Sequence, residues 1–168
     1  MIEILTTGGT IDKIYFDAKS TYEVGSPQIT QVLREANVTV PFRVTTLLRK
    51  DSLDMTDTDR QKVLRAVRRS RCRRIMITHG TDTMTQTAEL LRQVRGKTIV
   101  LTGSMQPALF RVTDAVFNIA SAFMAVQLLA PGVYIVMNGR VFEAGKVRKN
   151  RSRNRFEPAR SRSAKRIR

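Results

Sequence analysis

The feature that most constrains this chain is an alternation of two periodicities. Short apolar, β-branched stretches occupy residues 2–7, 43–48, 74–78, 98–102 and 133–137. Each is about the length of a strand. Between them the spacing is helical: Ile29, Val32, Leu33 and Ala36 share one face, as do Val63, Leu64 and Val67, and Leu90, Leu91 and Val94. Strands alternating with helices predict an α/β fold, a three-layer domain whose mostly parallel sheet is flanked by helices. The runs Ile75-Met76-Ile77 and Ile99-Val100-Leu101 have no polar position, which predicts strands covered on both faces. Thr56 followed by Asp59 has the form of a capping box and marks the start of the second helix. Arg92, Arg95 and Lys97 suit the negative end of the third.

Residues 113–129 leave almost no polar face. A helix apolar nearly all round is covered on more than one side, so a homo-oligomer, dimer or tetramer, is expected. After Gly145 the periodic pattern stops, and residues 151–168 are rich in Arg and Ser. The expected division is a folded domain over 1–150 and a basic, flexible tail over 151–168, with no second C-terminal domain.

The net charge of +16 is unevenly distributed. Residues 60–74 carry eight Lys/Arg and no acid, and residues 146–168 carry eleven with one acid, Glu157. The remainder is slightly acidic. A charged helix face and a solvated tail account for this without a specific partner. The same two segments offer a surface for non-specific polyanion binding. The lone Cys72 cannot form an intramolecular disulfide, no apolar run approaches membrane-spanning length, and residues 1–5 lead straight into strand-like sequence without a secretory leader. A cytoplasmic setting is expected.

In open parallel sheets, ligands bind beyond the carboxyl ends of the strands. Three strands here end in small, hydroxyl-rich turns: Thr6-Thr7-Gly8-Gly9-Thr10, Thr78-His79-Gly80-Thr81-Asp82-Thr83 and Leu101-Thr102-Gly103-Ser104-Met105-Gln106-Pro107. Glycines allow sharp turns and expose amide N–H groups, and threonines place hydroxyls beside them. That is the material of a nucleophile with an oxyanion site. Any one such turn is ordinary loop chemistry. No turn matches a P-loop or G-x-G-x-x-G pattern, and His79 is the only histidine, so neither a cofactor nor a metal is expected.

The joint pattern is more specific. Thr7-Gly8-Gly9-Thr10-Ile11 and His79-Gly80-Thr81-Asp82-Thr83-Met84 resemble the two signature segments of the bacterial L-asparaginase family. Tyr22-Glu23-Val24-Gly25 is similar to its flexible-loop tyrosine segment, and Asp51-Ser52-Leu53-Asp54-Met55 to its substrate-carboxylate loop. Gly103-Ser104-Met105-Gln106-Pro107, Met137-Asn138-Gly139 and Lys149 also fall in place, so the resemblance runs from Ile4 to Asn150. It is closest to a short form that consists of the family's N-terminal domain.

The resemblance implies an amidohydrolase that converts L-asparagine to L-aspartate and ammonia, with weak glutaminase activity. It implies that Thr10 is the nucleophile, supported by Tyr22, and that Thr81, Asp82 and Lys149 form a second catalytic cluster. Asp82 would hold the substrate's α-ammonium and Ser52 its α-carboxylate. The amides of Gly9 and Gly80 are candidate oxyanion or carboxylate donors. Leu53 stands where larger members often carry a polar residue, which reduces the contacts available to substrate. Two alternatives remain open at this point: a tRNA-linked amidotransferase-type subunit, and a non-catalytic module that binds aspartate or asparagine.

Overall fold

A computed structural model describes residues 1–16 and 21–159. Among them, five strands form a parallel array: β1 (Ile2–Thr6), β4 (Phe42–Thr46), β5 (Arg74–Thr78), β6 (Thr98–Thr102) and β7 (Gly132–Met137). With the antiparallel edge strand β8 (Arg140–Glu143), they lie in the order β4-β1-β5-β6-β7-β8. Two short hairpins stand outside this sheet. One pairs β2 (Lys13–Phe16) with β3 (Thr21–Val24), the other β9 (Val147–Asn150) with β10 (Arg155–Pro158).

Helices cover both faces. α1 (Ile29–Glu35) and α4 (Ala115–Leu128) pack on one side, α2 (Asp57–Arg69) and α3 (Met84–Leu91) on the other. The pleat decides which side each strand residue serves. Ile2, Ile4, Met76 and Val100 meet Ile29, Leu33, Ile119 and Val126. Leu5, Ile75, Ile77, Ile99 and Leu101 meet Val63, Leu64, Ala88 and Leu91. The chain is therefore the three-layer α/β domain that its alternation predicts. α2 begins with a complete capping box: Thr56 Oγ1 accepts from the Asp59 amide, and Asp59 accepts from the Thr56 amide.

After β1 the chain moves outward to β4, then returns to place β5 on the other side of β1. The strand order thus reverses between β1 and β5. Such a switch point opens a crevice at the carboxyl ends of its two strands. Those ends carry the Thr7–Thr10 and His79–Asp82 turns.

Residues 151–159, expected to open a flexible tail, are ordered in the structure. Arg155–Pro158 form β10, paired antiparallel with β9, and Phe156 is 2% exposed within the α2/α3 core. The physical cause is this one aromatic: Arg155 is exposed on the strand's outside while Phe156 anchors its inside. The folded unit therefore reaches at least to Pro158, and residues 160–168 of the expected tail lie outside the described residues.

Helix α4 is apolar all round, as its sequence predicts. Ile119, Ala122, Phe123 and Val126 face the sheet, while Val116, Phe117, Met124 and Leu128 are exposed. Among the described residues no helix is long and apolar enough to cross a membrane.

Candidate active site

The two turns at the switch point touch through backbone. Gly9 has φ 96°, and a β-carbon there would lie 2.4 Å from the Gly80 Cα. A β-carbon on Gly80 would lie 2.6 Å from the Ser52 Cβ. Both positions need glycine for space, and Gly9 needs it for backbone as well. Stacked in this way, the Gly9–Thr10 turn, the Gly80–Asp82 turn and the Ser52 loop form one continuous layer.

Lys149 completes it from the far end of the chain. Its ammonium donates to Thr81 Oγ1 at 2.7 Å and to Asp82 Oδ1 at 3.0 Å. Arg151 approaches the same carboxylate oxygen at 3.5 Å. Asp82 does not cap α3. The helix starts at Met84 after Thr83, with no side-chain cap bond, and the Asp82 carboxylate turns to the two cations. The Thr83 hydroxyl instead donates to the Ser52 carbonyl at 2.8 Å.

Ser52 is 0% exposed, and its Oγ accepts from the Asp82 amide at 3.2 Å. As placed, this hydroxyl braces the Asp82 turn from beneath. Its own 3-10 turn, Ser52–Asp54, is capped by Asp51, whose carboxylate accepts from the Leu53 amide at 3.2 Å and pairs with Lys13 at 2.8 Å.

Thr10 opens the 3-10 turn Thr10–Asp12 and is partly exposed. Tyr22 lies on the β2–β3 hairpin, 52% exposed, edge-on to Tyr15 (5.4 Å between centroids) and to Phe110 (5.8 Å). Among the described residues no hydrogen bond joins Tyr22 to Thr10. The structure thus brings Gly9, Gly80, Ser52, Thr81, Asp82 and Lys149 together around Thr10's turn and leaves Tyr22 on an outlying hairpin. An open cleft of about 710 Å³ runs between that hairpin and the segment Arg49–Asp54.

Two buried titratable groups frame the site. His79 Nδ1 lies 2.7 Å from the Gly80 carbonyl and Nε2 lies 2.8 Å from the Thr87 hydroxyl. A carbonyl only accepts, so Nδ1 carries the proton and Nε2 accepts from Thr87. Burial pushes the His79 pKa down to about 4, helped by the Arg60 charge and opposed by the Gly80 bond. The imidazole is a neutral strut for the Gly80 turn. Asp12, two residues after Thr10, is pushed up to about 6 by burial, against a bond from the Gln28 amide and the Arg49 charge. Its Oδ1 accepts from the Gln28 amide at 2.9 Å, and its Oδ2 is buried without a partner.

Lys149 is held in place through the Asn138-Gly139 turn, already part of the resemblance, and through Asn118, Asp114 and Phe156, which no motif in the sequence marked. Asn138 and Gly139 both have positive φ (53° and 71°) in the tight turn joining β7 to β8. The Asn138 amide donates to Asn118 Oδ1 at 3.2 Å, and Asn138 Oδ1 accepts from the Phe156 amide at 2.9 Å. Phe156 pairs with Lys149 across the hairpin. On the other side, Asn118 Nδ2 donates to the Gly103 carbonyl at 3.0 Å and to Asp114 at 2.9 Å. Asp114 in turn accepts from the Met105 and Gln106 amides. A polar Asn inside the apolar helix α4 was the available signal, since a buried amide needs partners. Among the described residues no group of three or more His, Cys, Asp or Glu side chains is placed to hold a metal ion.

The architecture defines a doubly wound α/β domain whose switch-point crevice is lined by threonine hydroxyls, an aspartate and a lysine. Residues 1–166 match the family model described as Asparaginase, N-terminal. The chain is 31% identical over 160 residues to a probable periplasmic L-asparaginase of Haemophilus influenzae, covering 88% of this chain and 46% of that one. It is 31% identical over 166 residues to a glutaminase-asparaginase of Acinetobacter glutaminasificans, covering 88% of this chain and 49% of the other. The thermostable L-asparaginase of Thermococcus kodakarensis superposes with a TM-score of 0.82 at 27% identity, covering 94% of this chain and 50% of that structure. The chain belongs to the asparaginase family, through that family's N-terminal domain. It spans about half the length of the relatives it matches.

Proposed function

We propose that this protein is an L-asparaginase that hydrolyses the side-chain amide of L-asparagine through a threonine nucleophile. The observation that carries the reading is the bonded set Lys149–Thr81–Asp82, stacked through Gly80 on the turn that presents Thr10. Thr10 Oγ1 attacks the amide carbon, its proton leaves to a base, and ammonia departs. The β-aspartyl ester that remains takes up water and releases L-aspartate. A threonine hydroxyl needs help to act as nucleophile, and a neighbouring lysine supplies either a base or a fixed positive charge. Asp82 carries the right sign for the substrate's α-ammonium. The Gly9 and Gly80 amides are the candidate donors to the developing oxyanion, a contribution worth about 3 kcal/mol where one such donor is removed. Tyr22, which lines the cleft beside the Arg49–Asp54 segment, is the proposed support for Thr10.

Glutamine differs from asparagine by one methylene, a difference pockets discriminate by only ~1–3 kcal/mol, so slower glutamine hydrolysis belongs to the same proposal. The exposed apolar face of α4 supports a homo-oligomer, and the lone Cys72 a reducing, cytoplasmic setting. The test is ammonia release by the purified protein from L-asparagine beside L-glutamine. Release from asparagine, faster than from glutamine, is expected. No release from either amide contradicts the reading.

A further inference from the structure

We propose that Phe110 is a positioning residue: its ring seats Tyr22, and its loop ties the tyrosine hairpin to the turn that carries Thr10. The inference deepens the asparaginase reading and rests on its assignment of Tyr22 as the support for Thr10. Tyr22 stands directly opposite Tyr15 in the register of β2 and β3, and the two rings meet edge-on at 5.4 Å. Tyr15 travels with the hairpin, so this pair fixes Tyr22 only to its own strand partner. The second ring against Tyr22 is Phe110, at 5.8 Å between centroids and 66° between planes. Phe110 belongs to the loop that follows β6. Both pairs have the edge-to-face geometry that the aromatic quadrupole favours. All three rings are exposed, so core packing does not bring them together.

The loop that presents Phe110 is itself firmly held. Asp114 closes its base by accepting from the Met105 and Gln106 amides, each at 3.0 Å. The Phe110 amide donates to the Pro107 carbonyl at 3.1 Å, which makes residues 107–110 a tight turn. Within that turn the Ala108 amide donates to the Ile11 carbonyl at 3.1 Å. Ile11 follows Thr10 and is fully buried in the core that Ala108 also packs against. One turn therefore grips the nucleophile's turn through backbone and the supporting tyrosine through a ring. At the other end, the Gly25 amide donates to the Asp12 carbonyl at 2.8 Å. That bond holds the foot of the hairpin but not its aromatic face. Phe110 supplies the contact on that face, and an aromatic pair of this kind shifts an equilibrium by about twofold to tenfold.

The test measures ammonia release from L-asparagine by the parent, Phe110→Ala, Phe110→Tyr, Tyr22→Phe and the double variant Tyr22→Phe/Phe110→Ala. Phe110→Ala is expected to lower kcat by about twofold to tenfold, with KM less affected. Phe110→Tyr keeps a ring in place and recovers the rate. Tyr22→Phe removes the phenol that Phe110 seats, so adding Phe110→Ala to it costs little more. The chain has three tyrosines and no tryptophan, so its near-ultraviolet circular dichroism reports on the Tyr15–Tyr22 pair. That band should weaken in Phe110→Ala while the urea midpoint stays close to the parent's. An unchanged kcat in Phe110→Ala overturns the proposal. So do losses that multiply in the double variant, because Phe110 then acts apart from Tyr22. A fall in kcat matched by a fall in the urea midpoint overturns it too, because the role is then only structural. If the parent releases no ammonia, the asparaginase reading fails separately. The near-ultraviolet band then decides alone: a weaker band in Phe110→Ala at an unchanged midpoint supports Phe110 as the seat of Tyr22, and an unchanged band refutes it.

Discussion

The Lys149 ammonium donates to the Thr81 hydroxyl at 2.7 Å, across 68 residues of sequence. Lys149 belongs to a small hairpin outside the main sheet, Thr81 to the turn after a central strand. Their meeting depends on how the end of the folded chain is tied down.

If Lys149 supports the chemistry, removing its charge or its partner slows turnover. Lys149→Met and Thr81→Val are each expected to lower kcat by about a hundredfold to ten-thousandfold, the range for a positioned proton-transfer group. Because the two side chains act as a unit, the double variant should lose little more than either single one. Steady-state ammonia release measures this, and multiplying losses would show that the residues act independently.

The hairpin is predicted to be indispensable, whereas the residues beyond it are not. Ending the chain after Asn150 removes β10, the Phe156 anchor and the Asn138–Phe156 bond, and activity should vanish with it. Ending the chain after Ala159 should preserve activity. Phe156→Ala is expected to cost roughly 3–5 kcal/mol of stability in urea unfolding, typical for a buried phenylalanine. Full activity in the chain ended at Asn150 would show that Lys149 does not need its brace.

Gly9→Ala tests the contact between the two turns. Its β-carbon would collide with the Gly80 backbone while φ stays near 96°, so the turns must separate. Loss of activity is expected before loss of fold, read as a fall in kcat/KM at a temperature where circular dichroism is still native.

The buried pair Asp12 and His79 should give pH dependences that oppose each other. Asp12, raised from 3.8 to about 6, contributes stability that is full below pH 3.8 and lost as pH rises through 6. His79, lowered from 6.5 to about 4, contributes stability that is full above pH 6.5 and lost as pH falls through 4. Each effect is about 3 kcal/mol across its window, so the two nearly cancel in the parent. Asp12→Asn is expected to expose the His79 slope, with stability falling from pH 6.5 to 4.5. His79→Gln should expose the opposite slope. Urea midpoints across that range measure both, and variants that track the parent would contradict the assignment.

Polyanion binding is proposed for the outer face of α2, the loop after it and the start of β5. Lys62, Arg65, Arg68, Arg69, Arg71, Arg73 and Arg74 are exposed there, while Arg60 turns inward to the Met55 carbonyl. Binding to a random-sequence nucleic acid should weaken by about a thousandfold between 50 and 200 mM salt if some six phosphates are contacted. Salt-insensitive binding would argue for a specific partner instead.

The sheet and its helices were legible in the sequence because their signals are local. Ile75-Met76-Ile77 and the Thr56–Asp59 box each specify an element within a few residues, and both formed as expected. The turns of the site were legible as motifs. The strand at Arg155–Pro158 was not, because one buried Phe156 among arginines carries no periodicity. Its place comes from the distant Asn138 and the core under α3. Arg151 escaped notice for the same reason: within an arginine-rich stretch, only the fold distinguishes the one that faces Asp82 from those that face Glu157.

The role of Thr10 as nucleophile is tested by ammonia release from L-asparagine by the parent and by Thr10→Ala, side by side at saturating substrate. Robust release by the parent is expected, with a loss of about four orders of magnitude or more in the variant, as when a nucleophile is removed. A Thr10→Ala protein that retains the parent's rate would contradict it, and the nucleophile would have to be sought elsewhere in the crevice.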